Sequence, residues 1–225
     1  MTALEEDIKK TGYVVLASEL KHAKKVNGHF ELTLNSSDKI QCNFLINASG
    51  LHTEDVANRI EEINFPKIKT VMYAKGHYYL YKKKNPFKHL IYPLPNSNGH
   101  GIHAGMDIEN NLRFGPNAKW VDSIEYSFDE NTLDEFCNSI KSYWINFDPS
   151  CLTPDYTGIR SKIVAEGEGS QDFEILDASD HGLENLIHLQ GIDSPGLTSS
   201  LSIAAEVMSK FCLLYTSDAA DEVSW

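Results

Sequence analysis

Between Pro66 and about Trp120 the chain is crowded with aromatic and β-branched residues, cut into short runs by Gly, Pro and Asn. Such runs are the signature of antiparallel strands. On either side the texture changes to strand-then-helix units. This order (βα, then antiparallel β, then a helix, then a return to βα) constrains the fold more than any single motif does. It predicts a mixed α/β (α+β) protein in which a nucleotide-binding-type domain is interrupted by an inserted antiparallel-sheet substrate domain. The expected divisions are residues 1–65, 66–155 for the insertion, and 156–211 for the return.

The expected elements follow from spacing. Thr2 to Lys10 reads as the end of an amphipathic helix, with Leu4 and Ile8 four apart and Gly12 placed as its C-terminal cap. Tyr13 to Ala17 reads as a short buried strand, and Lys24 to Leu34 and Lys39 to Asn47 as strands joined by the polar turn Asn35 to Asp38. The run Phe44-Leu45-Ile46 is continuously apolar, as in a strand covered on both faces. A helix is expected from about Glu54 to Ile63, with acidic residues in its first turn. In the middle, Tyr78 to Tyr81, Leu90 to Tyr92, His100 to Met106 and Leu112 to Phe114 are expected strands. Thr132 to Trp144 has helical spacing, with Leu133, Phe136, Ile140 and Tyr143 on one face. Tyr156 to Val164 and Leu186 to Leu189 are expected strands, and Ser199 to Phe211 a helix.

Charge narrows the function classes. Asp and Glu number 32 against 20 Lys and Arg, a formal net charge of −12, which disfavours a nucleic-acid partner. The run Lys82-Lys83-Lys84 before Asn85-Pro86 reads as a solvated turn. No stretch approaches the roughly 20 apolar residues that cross a bilayer, and the acidic N-terminus lacks a signal core. The cysteines, Cys42, Cys137, Cys151 and Cys212, form neither a C-x-x-C pair nor a zinc-spaced cluster, so free thiols in a reducing, cytoplasmic setting and no metal are expected.

Three segments carry candidate chemistry. Ile46-Asn47-Ala48-Ser49-Gly50-Leu51 puts small residues at the C-terminal end of a strand, where ligands bind in open α/β sheets. A tight strand-to-helix turn explains the same residues. Gly191 to Leu201 is a glycine-proline loop entering a helix, whose free N–H groups favour an anion or electron-rich oxygen. An ordinary capped helix is the plainer alternative. In Tyr156-Thr157-Gly158-Ile159-Arg160-Ser161-Lys162, alternation puts Gly158, Arg160 and Lys162 on one face of a strand. The glycine leaves room beside an arginine suited to gripping a carboxylate, although a surface ion pair would use the same residues. Gly99-His100-Gly101-Ile102-His103-Ala104 imitates a dinucleotide fingerprint, but it lacks the strand before and the helix after. Among nine histidines no spacing isolates one as a general base; His77 and His103, in the inserted domain, rank slightly above the others.

These segments together resemble one family. Tyr73 to Tyr79, Leu90 to Pro95, Gly101-Ile102-His103, Arg113 to Pro116, Tyr156 to Arg160 and Gly191 to Ala204 recur in this order in L-2-hydroxyglutarate dehydrogenases, within the wider D-amino-acid-oxidase-like group of FAD-dependent oxidoreductases. The resemblance covers nearly all of Met1 to Phe211. It implies FAD as cofactor and the oxidation of an L-2-hydroxy acid, foremost L-2-hydroxyglutarate, to the 2-oxo acid. It implies that Ala48, Ser49 and Gly50 lie against the FAD and that Leu20 contacts its adenine end through the backbone. It implies also that Gly191, Gly196, Leu197 and Thr198 belong to the turn and helix at the flavin ring. Arg160 matches the carboxylate-gripping arginine, and Tyr92 and His103 fall in substrate-side motifs, with His103 the candidate catalytic group. An amino-acid or amine oxidase within the same group is the alternative.

The departures from the pattern bear on identity. Asn47-Ala48-Ser49-Gly50 stands where Asn-Cys-Ala-Gly is more usual, and His103-Ala104-Gly105-Met106-Asp107 where His-Leu-Thr-Ile-Asp is commoner. The family's G-x-G-x-x-G turn is expected before residue 1, so the second alternative is that this chain alone is an inactive truncated fragment that binds FAD weakly. Residues 212–225 resemble a translated sequencing adaptor and are expected to be non-native. The electron acceptor after the flavin has no signature in the sequence, and peripheral membrane association stays open.

Overall fold

The computed structural model describes residues 1–94, 101–169 and 171–221. In chain order the elements are α1 (Thr2–Ile8), β1 (Leu20–Val26), β2 (His29–Leu34), β3 (Lys39–Cys42), β4 (Leu45–Asn47), α2 (Thr53–Ala57) and β5 (Met72–Tyr81). There follow β6 (Ala104–Met106), β7 (Leu112–Phe114), β8 (Lys119–Val121), α3 (Leu133–Tyr143), β9 (Leu152–Lys162), β10 (Glu174–Leu176), α4 (Ala178–His181), β11 (Leu186–Gln190) and α5 (Gly196–Asp221). The fold is mixed α/β, and the chain forms two compact units. Unit 1 holds Met1–Lys69, Glu174–Gln190 and Thr198 onward, and unit 2 holds Thr70–Phe173 and Gly191–Leu197. The return to the first unit thus falls at Glu174 and not at residue 156, because β9 pairs with β5 from Lys162↔Met72 to Leu152↔Tyr81.

Unit 1 contains an antiparallel sheet β1-β2-β3 and a second sheet ordered β10-β11-β4, in which β4 runs parallel to β11. Ala23, Phe30, Ala57, Ile60, Ile63, Leu183 and Leu186 form its core. Several expectations are corrected here. Lys24 to Leu34 is a hairpin, because Asn27 (φ +50°) and Gly28 (φ +85°) take the left-handed conformation of a two-residue turn. Lys39 to Asn47 breaks at Asn43-Phe44 into strands of different sheets. Ile46 is exposed, since β4 sits at the end of its sheet. Tyr13 to Ala17 forms no strand: Tyr13, Val15 and Leu16 are exposed, and no described strand pairs with them. α2 ends at Ala57, because the chain then turns so that Ile60 bridges Ala23 in the core. Gly12 has no left-handed φ; α1 is instead closed at Lys9.

The Asn27-Gly28 turn gives a first test. At φ +85° an added Cβ at Gly28 meets no neighbour within 4 Å, so the cost of Gly28→Ala is backbone strain alone. The expected loss is about 1 kcal/mol, read as a lower urea midpoint for the variant. An unchanged midpoint would show that the turn relaxes freely.

Unit 2 is a five-stranded sheet, β6-β7-β5-β8 with β9 also on β5. α3 packs on one face: Phe136 and Ile140 are fully buried with Tyr79, Phe114 and Leu112. The Tyr79 and Phe136 rings lie 4.7 Å apart, and the Tyr79 hydroxyl bonds Thr132 Oγ1 at 3.0 Å. The helical stripe Phe136, Ile140, Tyr143 therefore does what its spacing predicts, while Leu133 lies at the exposed edge. β9 starts earlier than expected and includes Pro154. The pairing slips between Tyr78 and Tyr79, and this bulge accommodates a residue with no N–H. Leu90 to Tyr92 contributes only the bridge Ile91↔Ala104. Of the expected strand His100 to Met106, the part Ala104–Met106 is β6, and His100 lies outside the described residues. The dinucleotide look-alike accordingly runs into a strand, not a helix; its Gly99 and His100 are outside the described residues.

Candidate functional site

The register of β5 on β9 builds one face of unit 2. Ala74 faces Arg160, Gly76 faces Gly158, and Tyr78 faces Tyr156. Residues directly opposed across an antiparallel pair share a face, so Arg160 stands in a row with two glycines and two tyrosines. The Tyr78 and Tyr156 rings stack 4.4 Å apart at 15°. An added Cβ at Gly158 would meet nothing within 4 Å. The space over Gly158, two residues from Arg160 on the same face, is therefore open, whereas at Gly76 opposite it a Cβ would fall 2.7 Å from Pro116.

Charge pairing singles out Arg160. Arg59 pairs with Glu19, and Arg113 pairs with both Asp107 and Asp155. These partners hold Asp107 well below the usual carboxylate range, its bonds from Asn111 leading and Arg113 adding. Among the described residues Arg160 has no such carboxylate, although it is half-buried. A partly desolvated cation without a counter-ion favours an anionic ligand.

Tyr92 and His103 join the same cluster. Their rings lie 4.2 Å apart. Burial pushes the Tyr78 phenol up; Arg160 opposes that shift and Tyr92 adds to it, so Tyr78 lies within electrostatic reach of both. Arg160, Tyr92 and His103 were legible as candidates in the sequence, and the structure links them through Tyr78. Tyr78 and Tyr156 were missed. Their signal was alternation: Tyr156 precedes Gly158 by two residues, as Gly158 precedes Arg160.

His77 belongs elsewhere. It points to the opposite face of β5, fully buried, with Nδ1 3.0 Å from Asn117 Oδ1 and its ring edge-on to Phe128. Burial lowers its pKa.

In unit 1 the turn after β4 is held by polar bonds. Asn47, 2% exposed, accepts from the Ser49 N–H (3.3 Å) and hydroxyl (2.6 Å) on Oδ1. Its Nδ2 donates to the Thr53 carbonyl (2.8 Å) and to His188 Nδ1 (3.0 Å). The Thr53 hydroxyl donates to Leu189 O at 2.7 Å. Ala48 is exposed, and at Gly50 (φ +59°) an added Cβ meets nothing within 4 Å. The small, open, rigidly tethered turn fits a flat cofactor approaching the backbone. Leu20 opens β1, and its carbonyl accepts from Arg59 at 2.6 Å.

The remaining glycines have reasons of their own. Gly191 has φ +70°, and a Cβ there would fall 2.6 Å from Ile163. Gln171 donates to its carbonyl at 2.8 Å and accepts from the Ile163 N–H at 2.8 Å. A Cβ at Gly196 would fall 2.6 Å from Ile192. Gly196 begins α5, with Leu197 exposed and Thr198 in its first turn, so the N–H groups there can serve an electron-rich ligand atom. Among the described residues no group of His, Cys, Asp and Glu could hold a metal ion, and no helix is long and apolar enough to cross a membrane.

Residues 1–209 match the family model of FAD dependent oxidoreductases. The chain belongs to that family. Its cofactor is FAD. The chain is 32% identical over 181 residues to an L-2-hydroxyglutarate dehydrogenase, mitochondrial, of Arabidopsis thaliana, covering 75% of this chain and 38% of that protein. It is 25% identical to a glycerol 3-phosphate dehydrogenase of Caloramator mitchellensis, covering 92% and 41%. Among solved structures, FAD-bound L-alpha-glycerophosphate oxidase from Mycoplasma pneumoniae superposes with a TM-score of 0.75 at 16% identity, covering 92% of this chain and 53% of that one. Glycine oxidase from Geobacillus kaustophilus does so with 0.66 at 12%, covering 88% and 50%. The chain thus spans about two fifths of the length of the curated relatives it matches.

Proposed function

We propose that the protein oxidises an L-2-hydroxy acid, with L-2-hydroxyglutarate the leading substrate, to the 2-oxo acid. Bound FAD supplies the hydride acceptor. The observation that carries this reading is Arg160, a half-buried cation with no carboxylate partner among the described residues, beside the open space over Gly158. A guanidinium grips a carboxylate through two parallel N–H bonds and so fixes which way the substrate carbon points. Tyr78 and Tyr92 place hydroxyl donors near the same anion. His103, in ring contact with Tyr92, is the proton acceptor for the substrate hydroxyl.

Ala48, Ser49 and Gly50 are assigned to the FAD, with the Leu20 backbone and the Gly191, Gly196, Leu197 and Thr198 segment as further cofactor contacts. Because Ala48 is exposed, Ala48→Phe leaves the fold intact and obstructs only what lies on the turn. The FAD Kd is expected to rise at least about tenfold, with an unchanged urea midpoint. An unaltered Kd would remove the turn from the cofactor site.

A second reading has a specific support. Glycerol 3-phosphate dehydrogenase and oxidase relatives also match this chain, and an unpaired arginine suits a phosphate as well as a carboxylate. The deciding experiment is anaerobic flavin bleaching with L-2-hydroxyglutarate, glycerol 3-phosphate, and glycine or D-amino acids in parallel. Fast bleaching by L-2-hydroxyglutarate alone supports the hydroxy-acid reading. Bleaching by the phosphate ester or the amino acids overturns it in favour of that substrate.

A further inference from the structure

We infer that His188 is a positioning residue for the cofactor: its Nδ1 fixes the Asn47 side chain and, through it, the turn Ala48-Ser49-Gly50. The inference rests on the reading that this turn contacts FAD. Its geometry lies wholly within unit 1.

The orientation of Asn47 is determined by chemistry. The Ser49 N–H can only donate, so the atom facing it is Oδ1. Nδ2 then faces Thr53 O and His188 Nδ1, and its two hydrogens satisfy one each. Nδ1 must therefore be the unprotonated nitrogen, and Nε2 carries the hydrogen. Burial pushes the His188 pKa down to about 4, with neighbouring His181 adding and Gln190 partly offsetting, so the ring stays neutral at physiological pH.

The arrangement is costly unless Nδ1 is needed. His188 is fully buried, and its Nε2 has no partner at hydrogen-bond distance among the described residues. The Gln190 Nε2 donates to Lys67 O and Glu174 and its Oε1 accepts from the Lys69 N–H; one lone pair of Oε1 remains, and the upward push of Gln190 on the His188 pKa places that side chain close to the ring. A buried N–H left unpaired is unfavourable, and an aliphatic side chain at this position of β11 would avoid it. What an aliphatic side chain cannot supply is the acceptor for Asn47. Without that acceptor one Asn47 hydrogen is stranded, and the amide that holds the Ser49 N–H and hydroxyl is free to turn.

The test exploits the different reach of two amides. In His188→Asn the side-chain oxygen can occupy the Nδ1 position and still accept; in His188→Gln the amide falls at the Nε2 position and Asn47 loses its partner. FAD Kd is measured by flavin fluorescence on the holoprotein after stripping and reloading. Expected are a Kd about tenfold weaker for His188→Gln and within about threefold of wild type for His188→Asn, with substrate KM at saturating FAD unchanged in both. The inference is overturned if His188→Gln keeps the wild-type Kd, or if His188→Asn loses as much as His188→Gln, which would make ring volume the cause. Ala48→Phe separates the two readings: no effect there removes the turn from the cofactor, whereas a weakened Ala48→Phe beside a normal His188→Gln sinks only the positioning role. Should the histidine variants misfold, long-range nitrogen–proton NMR on the wild type reads the tautomer. Hydrogen on Nε2 is expected, and hydrogen on Nδ1 would overturn the inference.

Discussion

Replacing Arg160 with alanine is expected to raise KM for the 2-hydroxy acid by an amount corresponding to roughly 2–5 kcal/mol, about 30-fold to several-thousand-fold. Arg160 sits on β9 opposite Ala74, with open space over Gly158 and no carboxylate partner among the described residues. Removing it therefore breaks no described ion pair, and the loss falls on the ligand. The urea midpoint should barely move. Arg113→Ala behaves in the opposite way, because its two aspartates are left unpaired and stability falls. Arg160→Lys keeps the charge but not the planar fork, so its KM lies between wild type and alanine. Steady-state kinetics on the three proteins with saturating FAD provide the check. An unchanged KM in Arg160→Ala would take this residue out of substrate binding.

Which parts of this site the sequence disclosed depends on what kind of signal each part leaves. Arg160 and Gly158 were legible because strand alternation is local: two residues apart means one face, whatever the partner strand does. Tyr78 was harder, since its place beside Arg160 comes from the register of β5 on β9, which nothing within either segment specifies. The same limit explains Ile46. Its apolar run reads as doubly covered, yet β4 ends its sheet, and the neighbour of a strand is a property of topology. Tyr13 to Ala17 is the sharper case, because β-propensity alone forms no strand without a ladder to join. The Asn27-Gly28 hairpin was different in kind. Its left-handed turn pair was present in the sequence and strong enough to split the expected long strand. The Asn47–His188 bond joins residues 141 positions apart, so it could not be read before the parallel pairing of β4 with β11 was known.

That pairing also sets an acid limit on stability. The His188 imidazole, which ordinarily titrates near 6.5, is pushed down to about 4 in the fold, mainly by burial. Below about pH 6.5 the unfolded chain binds a proton that the folded chain refuses, so stability falls with pH until about pH 4, where the folded ring also protonates. A shift of this size corresponds to about 3 kcal/mol at the acid end. His181 and His77 are shifted in the same direction by burial and add to the slope. Paired carboxylates such as Asp177, held down to about 2 with Lys210 and Ser179 bonding to it against the cost of burial, also lose stability in acid, but mostly below this window. Urea unfolding of wild type and His188→Asn at about pH 7 and about pH 4.5 isolates the histidine. Asparagine keeps the acceptor and cannot titrate, so the variant should lose less stability between the two pH values, by about 2–3 kcal/mol. Equal losses would mean that the ring protonates in the folded state near its ordinary pKa, and that Nδ1 is not committed to Asn47.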